Sequence, residues 1–137
     1  STVEIILPKS PRLEISHHYG LKNFYKYGIT MINIINHSYC KKLIIMLPGQ
    51  KHPAQFHKKK EESFFILYGS IDLILGKKKF TLKTGDLKTI KRNQVHFFST
   101  KKGAIIEELS TTSIKSDSYY LDNKIIENKD RKSFIYL

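Results

Sequence analysis

Apolar and polar residues alternate in short, β-branched runs along most of this chain. Ile29 to Asn36 and Leu43 to Leu47 are two such runs, separated by the polar turn Asn36-His37-Ser38. Pro48-Gly49 ends the second run. Gln55-Phe56-His57 alternates, as does Glu62 to Tyr68, after which Gly69-Ser70 reads as a turn into Ile71 to Leu75. Gly76-Lys77 leads back through Lys79 to Leu82, and Thr84-Gly85-Asp86 is a further turn. Leu87 to Ile90, Val95 to Ser99 and Ala104 to Leu109 complete the series. Short strands punctuated by turn residues every ~8–12 positions predict an all-β sandwich or small barrel.

The ends of the chain read differently. Val3 to Leu7, stopped by Pro8, predicts an edge strand or a linker, and Ser10-Pro11-Arg12 a turn. Ser16 to Gly28 is rich in His and aromatic residues. His17 and His18, adjacent on a strand, point to opposite faces and do not share a metal; they read as packing of a surface segment or a subunit contact. After Thr111 the alternation lapses into polar sequence with apolar islands at Tyr119-Tyr120-Leu121, Ile125-Ile126 and Phe134-Ile135-Tyr136. That predicts an irregular C-terminal arm over residues 111–137, carrying one short helix and packing over a barrel core of about residues 29–110. Residues 1–137 are expected to form a single domain.

Composition narrows the function. Cys40 is the only cysteine, so neither an intrachain disulfide nor a Cys-based zinc site is available, which fits a reducing, cytoplasmic setting. No apolar run approaches the ~18–20 residues of a membrane span, and Ser1 to Leu7 lack the pattern of a signal peptide. No membrane partner is expected. The net charge is +12, yet among the 24 Lys and Arg residues only Arg12, Arg92 and Arg131 are arginines. The lysines gather at turns, as at Lys58 to Lys60 and Lys77 to Lys79. This reads as a solvated basic surface without a nucleic-acid partner, and it is compatible with an anionic small molecule such as a sugar phosphate or an acidic sugar.

Candidate chemistry gathers in the middle of the chain. Gln55 and His57, two apart, face one side of a strand. Glu62 shares a face with apolar Phe64, Ile66 and Tyr68, a costly place for a carboxylate without a partner or a metal. His96 lies in register with Phe98. Two imidazoles, a carboxylate and an amide oxygen suit a divalent first-row metal: Mn, Fe, Ni, Co or Zn. Phe56, Phe64, Tyr68 and Phe98 read as barrel core.

These residues resemble a known family. Gly49, Gln55, His57, Glu62 and Gly69 are spaced like the first cupin motif, in which a His normally stands at the Gln55 position. Gly85, Lys91, Asn93, His96 and Thr100 resemble the second, with Lys, Asn and Thr replacing its usual Pro, Gly and Asn. The resemblance spans roughly Leu43 to Leu109. It implies a double-stranded β-helix, the jelly-roll barrel, with His57, Glu62 and His96 as metal ligands and Gln55 as a weaker fourth through its oxygen.

Pro48-Gly49-Gln50, then Pro53, Gln55 to Glu62, are similar to the D-lyxose isomerase type of cupin. Glu107-Glu108-Leu109-Ser110-Thr111 looks like a strand end in those proteins, which matches Glu108 to a catalytic acid/base carboxylate. The whole chain further resembles the cupin domain at the C-terminus of some bacterial sialic acid (N-acetylneuraminate) synthases, so it reads as a domain tethered to, or excised from, a longer synthase. The implied activity is metal-assisted proton transfer in a sugar isomerase or epimerase, with Lys51, His52 and Lys58 at the mouth as substrate-binding groups. The alternative is a non-catalytic sugar-binding or regulatory domain with a degenerate metal site. Catalysis is left open between the two. Cupins commonly pair, so a homodimer is expected, with the aromatic N-terminal segment contributing.

Overall fold

A computed structural model describes residues 3–137. Its strands are β1 (Arg12–His17), β2 (Gly28–Asn36), β3 (Tyr39–Met46), β4 (Lys51–Phe56), β5 (Glu62–Leu75), β6 (Lys78–Lys83), β7 (Leu87–Ile90), β8 (His96–Ser99), β9 (Ala104–Thr111), β10 (Tyr119–Tyr120) and β11 (Lys132–Tyr136). Two short helices, α1 (Phe24–Tyr27) and α2 (Asn123–Glu127), interrupt them. All pairings are antiparallel. One face runs β11-β1-β2-β3-β9-β5-β7, and the other runs β10-β4-β8-β5-β6. This is the predicted all-β jelly roll. No helix among the described residues is long and apolar enough to cross a membrane.

Strand β5 belongs to both faces, and this corrects the reading of Gly69-Ser70 as a turn. Residues 62–69 pair with β7 and β9, whereas 70–75 pair with β6 and β8. The strand bends between sheets through a bulge opposite β9 at Ile66/Tyr68 and a left-handed Gly69 (φ 75°). A Cβ at Gly69 would collide with the carbonyl oxygen of Gly103. The extra residue flips the alternation: Glu62, Phe64 and Ile66 are buried before the bulge, Ile71, Leu73 and Leu75 after it. Tyr68, expected in the core, is therefore 38% exposed. Phe56 is also outside the core, half-buried and stacked on Tyr119 at 5.2 Å. Phe64 and Phe98 do lie in it, edge to face at 5.1 Å, with Ile44, Ile66, Leu73 and Ile106 around them.

Of the two N-terminal readings, edge strand and linker, the edge strand fails. Val3 to Leu7 form no strand, and Ile6 is almost fully exposed. The edge that such a strand would pair with is already taken, since β11 lies along β1 with Leu13 opposite Ile135. The arm after Thr111 contains the expected short helix, capped by Asp122, whose carboxylate accepts from the Lys124 amide at 2.9 Å. It also adds β10 and β11 to the two sheets, pairings that its sparse apolar islands did not announce.

His17 and His18 are buried rather than superficial. His18 donates from Nδ1 to the Tyr27 carbonyl and accepts from the Tyr120 hydroxyl at Nε2, each at 3.2 Å. Burial pushes its pKa down from 6.5 to about 4. The unfolded chain therefore takes up this proton first as the pH falls. The stability involved is intact above pH 6.5 and lost as the pH drops towards 4, by ~3 kcal/mol. Urea unfolding across that window is expected to show a shallower loss for His18→Gln than for the parent chain; parallel curves would contradict this.

Candidate functional site

Three chain segments deliver side chains to one point inside the barrel. Gln55 near the end of β4 pairs with His96 at the start of β8; His57 follows β4, and Glu62 opens β5. The His57, Glu62 and His96 ligand atoms lie within 4.8 Å of one another, and all three residues are buried. Glu62 Oε1 is 3.1 Å from His96 Nε2 and 3.6 Å from His57 Nε2.

The outer bonds of the histidines fix what they present inward. His57 Nδ1 donates to the Asp117 carbonyl and His96 Nδ1 to the Gln94 carbonyl, both at 2.9 Å. A carbonyl can only accept, so each neutral imidazole turns an unprotonated Nε2 towards the cluster. Gln55 is oriented by the same logic. His52 Nδ1 donates to the Pro53 carbonyl at 2.9 Å, so its Nε2 accepts from the Gln55 amide nitrogen at 3.4 Å. Burial, reinforced by nearby His18, holds the His52 pKa well below the usual range and so keeps it an acceptor. The Gln55 oxygen is left facing inward. Gln55 Oε1, His57 Nε2 and His96 Nε2 are buried without a hydrogen-bond partner among the described residues, and Glu62 Oε1 lies between the two imidazoles while its Oε2 faces the Lys60 ammonium at 3.1 Å. Convergent lone-pair atoms of this kind fit a divalent cation, and little else relieves their cost.

Two charged groups that the sequence did not single out flank the cluster. Lys60 is buried, its ammonium 3.1 Å from Glu62 Oε2 and 3.5 Å from Glu108 Oε2. Burial would lower its pKa, but the Glu108 and Glu62 carboxylates together raise it, so it is charged. Burial pushes the Glu62 carboxyl up, yet the Lys60 ammonium outweighs it and holds the group well below the usual carboxylate range. At Glu108 burial prevails, aided by Glu62 and against Lys60 and Lys42, and the carboxyl is raised. Neighbouring carboxyls pushed in opposite directions are the electrostatic mark of an acid/base site. The second missed group is Asp117. Its carboxylate accepts from the backbone amides of Lys58, Lys59 and Lys60 at 2.9–3.2 Å. Nothing in Lys115-Ser116-Asp117-Ser118 separates this acid from a solvated one by sequence. Lys60 likewise sits unmarked in a run of three lysines.

The other expected residues divide. Glu108 lines the hollow in front of the cluster, together with Gln55, His57, Lys60 and Glu62. His52 also lines it, but from inside the barrel, stacked on Phe98 at 4.9 Å, rather than at the rim. A register shift between His52 and Gln55 brings both of these oddly spaced residues inward. Lys51 and Lys58 are exposed and do not reach the hollow; the Lys58 ammonium lies over the Tyr119 ring at 4.6 Å.

With this geometry in view, similarity to known proteins can be stated. Residues 42–107 match the family model of the cupin domain. A D-lyxose ketol-isomerase from Thermofilum sp. (strain ex4484_79) is 26% identical over 136 residues, covering 78% of this chain and 76% of its own. The crystal structure of Geodermatophilus obscurus L-ribose isomerase superposes with a TM-score of 0.71 at 14% identity, over 82% of this chain and 81% of that one. Cellulomonas parahominis L-ribose isomerase with L-psicose gives 0.68 at 15%, over 74% and 72%. At such identities the structural likeness speaks to fold alone. The sequence match over residues 42–107 and the two-faced barrel converge on one fold, the jelly roll of the cupin domain.

Proposed function

We propose that this domain binds a divalent metal through His57, Glu62, His96 and the Gln55 oxygen, and isomerises or epimerises a sugar by proton transfer. The observation that carries the reading is the convergence of three unpartnered lone-pair atoms and the Glu62 carboxylate beside the Lys60–Glu108 pair. When bound, Mn, Fe, Ni, Co or Zn would supply Lewis-acid polarisation of the substrate's oxygens. Glu108, its carboxyl raised by burial, takes a proton from one carbon and returns it to the neighbour. Lys60 holds the Glu62 and Glu108 carboxylates in place between its contacts. Phe64 and Phe98 on the pocket wall limit water access. Similarity to a D-lyxose ketol-isomerase supports a sugar as substrate. A place in cytoplasmic, sialic acid-type surface-sugar biosynthesis, as a homodimer tethered to a synthase, belongs to the same proposal.

A second reading is favoured by a specific observation. The ammonium of Lys60 stands 3.1 Å from a proposed ligand oxygen, and an amide replaces the usual imidazole at position 55. Both weaken cation binding, which suits a non-catalytic sugar-binding or regulatory domain accompanying a sialic acid synthase. Metal content per chain, measured by mass spectrometry on protein prepared without chelators, separates the two. Near-stoichiometric metal that disappears in His57→Ala, followed by turnover in an aldose screen, is expected. Protein that stays empty after soaking in metals would overturn the metal-isomerase reading and leave the accessory one.

A further inference from the structure

The hollow in front of the cluster shares Lys42, Ser113, Lys115 and Lys132 with a second, outer hollow of about 260 Å³. Arg12, Glu14 and Asn33 also line the outer space. Together the two hollows are faced by five cationic side chains, of Arg12, Lys42, Lys60, Lys115 and Lys132, against three carboxylates, of Glu14, Glu62 and Glu108. Each carboxylate is already engaged. Lys132 holds Glu14 at 2.8 Å, and Lys60 bridges Glu62 and Glu108.

Lys42 is the exception. It is 8% exposed, yet it forms no ion pair within 4 Å among the described residues. Its one hydrogen-bond partner there is neutral, the Ser113 hydroxyl at 3.0 Å. Cross-strand Glu108 is its register neighbour, but that carboxylate lies with Lys60. A buried ammonium without a direct ion-pair partner is costly. The adjacent Asn33 amide nitrogen is also buried and has no acceptor. A charged donor with only a neutral acceptor and an amide donor with none border one basic hollow that opens beside the reacting pocket.

We propose that the substrate is an anionic sugar whose phosphate or carboxylate occupies the outer hollow, held by Lys42, Asn33 and Lys115, while its carbonyl end reaches the cluster. The inference rests on the sugar reading above and names the class of sugar. Both anions offer oxygens that accept from ammonium and amide groups, and each supplies the direct ion-pair partner that Lys42 lacks.

Isothermal titration with inorganic phosphate, a neutral aldose, its terminal phosphate and the corresponding uronic acid tests this. The phosphorylated or the carboxylated sugar is expected to bind at least about tenfold tighter than the neutral one, the scale of one charge-assisted hydrogen bond. Whichever wins identifies the anion. In Lys42→Met that advantage is expected to collapse towards unity. Lys115→Glu, at an exposed position, is expected to reduce it as well and keeps the test available if Lys42→Met fails to fold. Equal affinity for neutral and anionic sugars would overturn the proposal and leave the sugar reading standing. If no sugar binds, the sugar reading fails instead; phosphate binding that depends on Lys42 would still support the anion site, and its absence would overturn that too.

Discussion

Asp117→Ala is expected to lower stability by about 3 kcal/mol and to weaken metal binding ten- to a hundredfold. The carboxylate accepts all three amides of the Lys58–Lys60 loop, and the Lys60 amide is buried. Truncation leaves those donors without acceptors, a loss appropriate to hydrogen bonds with a charged partner. The same residue's carbonyl receives the proton of His57 Nδ1 and so aims its Nε2 at the cluster. Groups that orient a ligand in this way commonly govern affinity on the stated scale. Asp117→Asn, which keeps one acceptor oxygen but turns an NH₂ towards the loop amides, should fall between. Urea midpoints and metal titrations read the two effects; an Ala variant unchanged in both would show that the arm does not support the site.

What the sequence disclosed follows from this architecture. Period-two alternation and turn residues were sufficient for the all-β class, because most inward positions lie on short strands with one buried face, whereas the jelly roll came from the cupin resemblance. Gln55, His57, Glu62 and His96 were legible because polar groups stood on apolar faces. Alternation failed where bulges added a residue, at Tyr68 and between His52 and Gln55, since a one-residue insertion reverses every later side chain. Lys60 and Asp117 were invisible for another reason. Their roles depend on contacts between positions 48 and 57 residues apart, and nothing local distinguishes them from solvated neighbours. The pairing of β11 with β1 is of the same kind, which is why Val3 to Leu7 looked like the edge strand.

Glu108→Gln is expected to reduce turnover of the substrate found in the aldose screen by about 10²–10⁴, the usual contribution of a positioned proton-transfer group. Metal occupancy should be retained, because Glu108 is not among the proposed metal ligands. The substitution keeps the side chain's size on β9, opposite Lys42 and Phe64. It removes the ability to carry a proton. Unchanged turnover with metal bound would move the acid/base role to another group. Loss of metal would instead assign Glu108 a supporting role through Lys60.

Strand β11 and the Asp117 loop come last in chain order, whereas every proposed metal ligand lies between positions 55 and 96. A growing polypeptide that folds from its N-terminal side therefore has the whole ligand set before it has the residue that aims His57 or the Lys115 and Lys132 wall of the hollows. On the proposed reading, the residues that would hold the cation are made before those that would recognise the sugar, and synthesis itself would set the order in which the domain matures.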